Sequence, residues 1–216
     1  MKIEQMNNNR VFLSGTVESE PKFSHETFGE AFYEVTLLVP RLSNHLDRVP
    51  VTVSEKLLTG GKFELGKYVC IKGQFRSYNK IEDEKSKLML TVFVREVCDF
   101  EEDMNPNIIE ITGFICKEPT YRTTPFNREI CDCLIAVNRA YNKSDYLPCI
   151  AWGRNAKYVS ELEVGTKVSI VGRIQSREYQ KHTLSGEVLT KVAYEVSINK
   201  IMTNLEQDGQ EEEQLS

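Results

Sequence analysis

The residues best placed to do chemistry lie between Asn138 and Trp152, in the stretch NRAYNKSDYLPCIAW. From Tyr146 onward the side chains alternate. Tyr146, Pro148, Ile150 and Trp152 fall on one face of an extended chain, and Leu147, Cys149 and Ala151 on the other, because a strand repeats every two residues. The second set is small and apolar and suits a tight barrel interior. The first set puts two flat rings on the outside of a sheet, with Arg139 and Lys143 in the preceding loop. Rings beside cations form a platform on which bases stack while phosphates are held nearby. The same rings would equally suit a surface covered by a neighbouring subunit or loop.

No constellation for catalysis accompanies them. Asp47 and Asp145 have no histidine close in sequence, and each precedes a strand, which reads as turn initiation. Glu82-Asp83-Glu84 reads as a solvated hairpin tip. The phosphate-cradling G-x-x-x-x-G-K-[ST] and the zinc-binding H-E-x-x-H are both absent from the sequence. Six cysteines (Cys70, Cys98, Cys116, Cys131, Cys133 and Cys149) include no C-x-x-C pair and sit mostly among β-branched residues. They read as reduced, buried thiols. The three histidines stand at no ligand spacing from them, so neither a metal nor any other cofactor is expected. No apolar run approaches membrane-spanning length, and MKIEQMNNNR lacks the apolar core of a secretory signal, so a cytoplasmic protein with no membrane partner is expected.

The net charge is −5, which at first argues against a polyanionic partner. Its distribution reverses that argument. Residues 107–203 carry thirteen Lys plus Arg against ten Asp plus Glu, and residues 1–100 carry fourteen of each. The excess acid lies in residues 101–106 and 204–216. Local fields govern contact with a polyanion more than net charge does.

These residues are positioned by a pattern written twice. NRVFLSGTVESEP from Asn9 to Pro21 matches NIIEITGFICKEP from Asn107 to Pro119 at one constant offset. The same offset sets Arg41 on Arg139, Asp47 on Asp145 and Pro50 on Pro148; one residue further, Gly73 falls on Gly172 and Ser77 on Ser176. A tandem duplication follows. The expected domains are 1–100, an acidic linker 101–106, 107–203, and a disordered acidic tail 204–216. In the second copy strands are expected at about 108–117, 130–139, 146–152 and 167–179, with a fifth ending near Ile201 and a helix over about 155–162. The fourth strand turns Arg173, Gln175, Arg177 and Tyr179 outward, and Gly172 in mid-strand marks a sharp bend. Pro148 and Pro50 predict a bulged or partly unpaired third strand. The first copy repeats the plan, with Ser54 able to cap a short helix over Glu55–Leu58. Three strands, a helix and two strands, with a glycine-bent strand, is the order of an OB-fold. The fold class is therefore all-β: two tandem five-stranded OB-fold barrels, each with one short helix between its third and fourth strands.

The motifs NIIEITG, EPTYRT, LIAVNR, DYLPCIAWG and VGTKVSIVGRIQSREY, in that order, resemble the bacterial single-stranded DNA-binding protein family over about 107–201. The first copy resembles it through its glycines, prolines and strand pattern. The resemblance implies a non-enzymatic OB-fold protein that binds single-stranded DNA through an aromatic and basic outer face. It sets stacking roles on Tyr141, Tyr146, Trp152 and Tyr179, and phosphate roles near Arg122, Arg139, Arg173 and Arg177, beside Lys143. Arg48, Lys72, Arg76 and Tyr78 are secondary candidates on the first copy, whose third strand carries Arg48, Thr52 and Ser54 where the second has Tyr146, Ile150 and Trp152. Family members usually end in a long flexible linker and an acidic tip, closed by a proline and a phenylalanine, that recruits replication and repair proteins. Here Glu206–Ser216 is acidic, short and ends Gln-Leu-Ser.

The family usually assembles four barrels from chains that hold one each, so a homodimer of this chain would supply the same number. The implied setting is DNA replication, recombination or repair, in the cytoplasm at the nucleoid. Two other readings remain open at this point: an OB module for RNA, and an interaction module whose aromatic face meets protein.

Overall fold

The computed structural model describes residues 7–203 except 42, 44, 83, 84, 100–104, 183–185 and 187. Most of the expected acidic linker, the tip residues Asp83 and Glu84, and the acidic tail therefore lie outside the described residues. Twelve strands and two short helices run in the order β1 (Asn9–Val17), β2 (Lys22–Thr27), β3 (Glu30–Pro40), β4 (Leu46–Ser54), α1 (Glu55–Leu58), β5 (Tyr68–Glu82), β6 (Lys85–Cys98), β7 (Asn107–Ile115), β8 (Thr120–Thr123), β9 (Glu129–Arg139), β10 (Lys143–Trp152), α2 (Arg154–Ser160), β11 (Lys167–His182) and β12 (Val188–Thr203).

Two barrels close in the same way. In the first, β1 pairs with both β3 and β5, β5 with β6, β6 with β4 in parallel, and β4 with β3. In the second, β7 pairs with β9 and β11, β11 with β12, β12 with β10 in parallel, and β10 with β9. Alternating apolar residues fill each interior: Val35, Leu37 and Val39 in the first and Cys131, Cys133, Ile135 and Val137 in the second are all buried. All six cysteines are free, and burial is the leading cause raising the thiols of Cys70, Cys98, Cys116, Cys131 and Cys149, as suits side chains used for packing. The long fourth strand of each barrel shifts register at its glycine, between Lys72 and Gly73 and between Val171 and Gly172. A Cβ at Gly172 would run into the carbonyl oxygen of Ser197, so the crossing needs glycine there.

The structure adds to the expected plan in three places. A sixth strand joins each barrel, β2 on β3 and β8 on β9. Neither strand has a buried residue, so neither has the alternation that announces a strand in a sequence. Pro148 pairs with Leu134 in unbroken register, so no bulge forms there; the other edge of β10 pairs only over Cys149 and Ile150. Ser54 does precede α1, yet its side chain makes no capping hydrogen bond.

The barrels join through β1 and β7, antiparallel, with Val11 opposite Ile109 at the centre. Those two residues are equivalent in the repeat, so the junction has an internal two-fold. Ser14 donates its N–H to the Pro106 carbonyl and Thr112 to that of Asn8, each at 2.8 Å. Asn9 clamps the backbone of Phe75 with two hydrogen bonds, and Asn107 does the same to Ile174.

Candidate nucleic-acid interface

Asp47 and Asp145 are wholly buried, which corrects their reading as turn initiators. Each crosses to the other barrel. Asp47 Oδ1 accepts the Ser176 N–H at 2.7 Å, and Asp145 Oδ1 accepts the Ser77 N–H at 2.8 Å. The following residues complete the pattern: Arg48 N–H donates to Ser176 Oγ at 3.0 Å and Tyr146 N–H to Ser77 Oγ at 2.7 Å. A buried carboxylate requires such partners. Arg41 supplies a fork to Asp47, through Nε at 2.6 Å and a terminal nitrogen at 2.5 Å. Arg139 reaches Asp145 through one nitrogen at 3.1 Å, and Asp145 Oδ2 has no hydrogen-bond partner among the described residues. The hydrogen bond to Asp47 raises the Arg41 pKa.

These contacts set the start of β4 against β11 and the start of β10 against β5. Beside the first of them lies an open groove of about 1060 Å³. Arg41, His45 and Arg48 line it from the first barrel, and Arg122, Arg128, Trp152, Arg173 and Arg177 from the second. Glu178 and Glu195 are the carboxylates on its lining. Six arginines against two carboxylates make it cationic.

The expected site residues divide between the groove and other places. Trp152 is 38% exposed on the groove wall, whereas Ile150 on the same strand face is buried. Arg122 lies 2.6 Å from Asp132, which raises its pKa. Burial, and then the neighbouring charge of Arg41, lower that of Arg173. Its Nε has no partner among the described residues. Arg177 is exposed, 3.9 Å from Glu195 and 5.9 Å from the centre of the Tyr179 ring. Tyr179 stands farther out on the hairpin arm and does not line the groove.

Tyr146 is 46% exposed but belongs to the opposite junction, through its bond to Ser77. Six residues of strand separate it from Trp152, roughly 20 Å. The two rings are therefore separate platforms rather than one. Arg139 and Lys143 face each other in register across the β9–β10 turn, and Tyr141 projects from that turn, 83% exposed with φ 62°. Of the secondary candidates, Arg48 reaches the groove while holding Glu18 at 2.9 Å. Lys72 lies 3.2 Å from Glu96 and does not line the groove. The Tyr78 hydroxyl donates to Glu34. Arg76 is pushed down to about 10, by burial first and then by Arg139 and Arg95, and stays protonated at neutral pH.

The sequence reading missed the rings of the first barrel. Phe93 on β6 lies 4.1 Å beneath the Arg76 guanidinium and 5.1 Å from that of Arg95. Phe32 abuts Phe93 at 5.4 Å, and His25 stacks on Phe32 at 5.0 Å with planes 13° apart. Cation–π stacking of this kind holds guanidiniums on a surface. The signal was present in TVFVR, where Phe93 and Arg95 alternate with the buried Val92 and Val94.

Paired small barrels with rings and arginines on their outer faces define an oligonucleotide-binding architecture. Residues 106–203 match the family model described as the single-strand binding protein family. The chain is 28% identical over 115 residues to single-stranded DNA-binding protein 1 of Staphylococcus aureus (strain COL), covering 50% of this chain and 69% of that protein. It is 28% identical over 96 residues to single-stranded DNA-binding protein A of Bacillus subtilis (strain 168), covering 41% and 56%. The crystal structure of the wild-type single-stranded DNA binding protein from Thermus aquaticus superposes with a TM-score of 0.65 at 20% identity, over 90% of this chain and 92% of that one. That likeness extends the shared fold across both barrels. The likeness in sequence to the single-strand binding protein family therefore rests on the second barrel.

Proposed function

We propose that this chain binds single-stranded DNA, largely independently of sequence and without a catalytic step. The observation that carries the reading is the groove in which Trp152 stands among six arginines. The ring offers a π-face to any base and the guanidiniums take phosphates, so little sequence information is read. The relatives' names, as single-stranded DNA-binding proteins, point the same way. Tyr141, Tyr146 and Tyr179 are further stacking residues, and Arg139, Lys143, Arg173 and Arg177 phosphate contacts. Residues 1–100 and 107–203 act as two binding units, and a homodimer brings four barrels to one strand. The work is in replication, recombination or repair at the nucleoid, with contacts to other proteins of those processes. Among the described residues, no helix is long and apolar enough to cross a membrane.

Trp152 is the only tryptophan, so its emission reports on one place. Titration with oligo-dT at two salt concentrations should quench it, with affinity falling steeply as salt rises. Oligo-U of equal length should bind more weakly if the 2′-hydroxyl is discriminated against. Unchanged emission, together with no salt-dependent binding, would refute the reading.

A further inference from the structure

We propose that the cationic groove is a two-barrel site, in which Arg41 and Arg48, on either side of the entry into β4 of the first barrel, supply phosphate contacts to the strand of DNA lying on Trp152 of the second. The proposal rests on the single-stranded DNA reading and assigns part of that site to a region outside the family match.

The geometry is built rather than incidental. Asp47 has no exposed surface, and five hydrogen bonds fix the start of β4: three between it and Ser176 of β11, and two from Arg41 to Asp47. Four of those five bonds have Asp47 itself as acceptor; the fifth runs from the Arg48 N–H to Ser176 Oγ. Arg41 and the start of β4, held this firmly, are pre-organised, and pre-organisation removes an ordering cost from binding. Ser176, their anchor, sits between Gln175 and Arg177, both on the groove wall. Arg41 and Arg48 thereby line one groove with Arg173 and Arg177, and after burial the charge of Arg41 is the next cause lowering the Arg173 pKa. Four guanidiniums from two barrels crowd one groove at a cost in mutual repulsion. A polyanion relieves that repulsion, and a neutral partner does not.

The arginines keep donors to spare. Arg48 spends Nε and one terminal nitrogen on Glu18, and its side chain is 55% exposed. A guanidinium has five N–H donors, so its other nitrogen can still face a phosphate. Trp152 supplies the base platform, and Arg41 and Arg48 supply contacts to the DNA backbone. Asp47 is a positioning residue, since it holds Arg41 and Ser176 of β11 and does not touch the DNA.

Fluorescence anisotropy of labelled oligo-dT across a salt series, on the full chain, tests the proposal. Arg48→Ala should weaken binding at low salt roughly threefold to tenfold, the equivalent of one net hydrogen bond. It should also flatten the slope of log affinity against log salt by about 0.7, the single-strand value for one phosphate contact. Arg48→Lys should keep most of the slope. Arg10→Ala is the control: it removes the same charge from a residue paired with Glu110 on the β1–β7 sheet, and should leave the slope unchanged. Glu18→Ala should bind at least as tightly as wild type, because it releases Arg48 without removing it. Equal losses in Arg48→Ala and Arg10→Ala, or a loss in Glu18→Ala matching that in Arg48→Ala, would overturn the two-barrel site while wild-type quenching of Trp152 kept the function. No binding by the wild type would overturn both.

Discussion

On the outer face of the second barrel, Trp152 ends the third barrel strand, Arg173 and Arg177 lie on the fourth, and Ser197 on the fifth. At the matching places the first barrel has Ser54, Gln74, Tyr78 and Phe93. The large ring has moved from the third strand to the fifth, and the cation beside it from Arg173 to Arg76, whose guanidinium covers Phe93. Beneath these faces the second barrel buries Glu195 with Gln175 at 2.7 Å, where the first bonds Thr52 to Thr91 at 2.9 Å. A surface is two-dimensional, so equivalent platforms need not occupy equivalent positions on one strand. Comparing third strands alone suggests that the first barrel has lost its rings. Comparing whole faces shows a ring retained and its guanidinium stacked upon it. The first barrel thus keeps a ring on its outer face, and the cost of losing that ring measures its share of DNA binding.

The largest contrast should appear in stability. Asp47 receives a two-pronged arginine and Asp145 a single nitrogen, although both are fully buried. Breaking a buried pair by deleting one partner costs about 3–5 kcal/mol, most of it from the charge left behind. Asp47→Ala should lose an amount in that range. Asp145→Ala should lose less, because one of its oxygens has no hydrogen bond to forfeit. Urea unfolding monitored by circular dichroism would rank them. Equal losses would mean that the difference between the two junctions has no energetic weight.

The next contrast concerns the rings. Base stacking on an aromatic side chain is worth about 1–3 kcal/mol per base, so Trp152→Ala should weaken oligo-dT binding roughly tenfold to a hundredfold. Phe93→Ala should cost less. Phe93 is partly buried beneath Arg76 and against Phe32, and a base must displace or share that cover. Anisotropy of labelled oligo-dT measures both. A Phe93→Ala loss equal to that of Trp152→Ala would make the barrels equal partners in base stacking.

How far these features were readable follows from what each depends on. The barrels were legible because interior positions alternate strictly and the pattern occurs twice in register. Gly73 and Gly172 were legible as bends because a mid-strand glycine has few other uses. β2 and β8 were not, since strands with no buried face carry no periodic signal. The β1–β7 junction was hidden as well: Val11 and Ile109 look like any interior pair until the edges meet. Asp47 and Asp145 were misread for the same reason. Their partners, Ser176 and Ser77, lie more than sixty residues away, and sequence spacing reports only near neighbours. Trp152 and Tyr146 were correctly set on the exposed side of β10, yet the length of that strand separates them.

The smallest expected effect tests whether position or charge alone matters on the first barrel. Lys72 and Arg48 each lie in an ion pair on an exposed surface, with Glu96 and Glu18 respectively. Only Arg48 lies in the groove. Lys72 precedes the register shift on β5, pairs with Phe12 of β1 and does not line the groove. If single-stranded DNA follows the groove, Lys72→Ala should change oligo-dT affinity less than twofold, within the 0–1 kcal/mol of an exposed ion pair. Its salt slope should match wild type. At physiological ionic strength the screening length is about 8 Å, so a charge outside the groove contributes little to the field within it. A Lys72→Ala slope as shallow as that of Arg48→Ala would mean that DNA also tracks the β1–β5 face, and the path along the groove would then be incomplete.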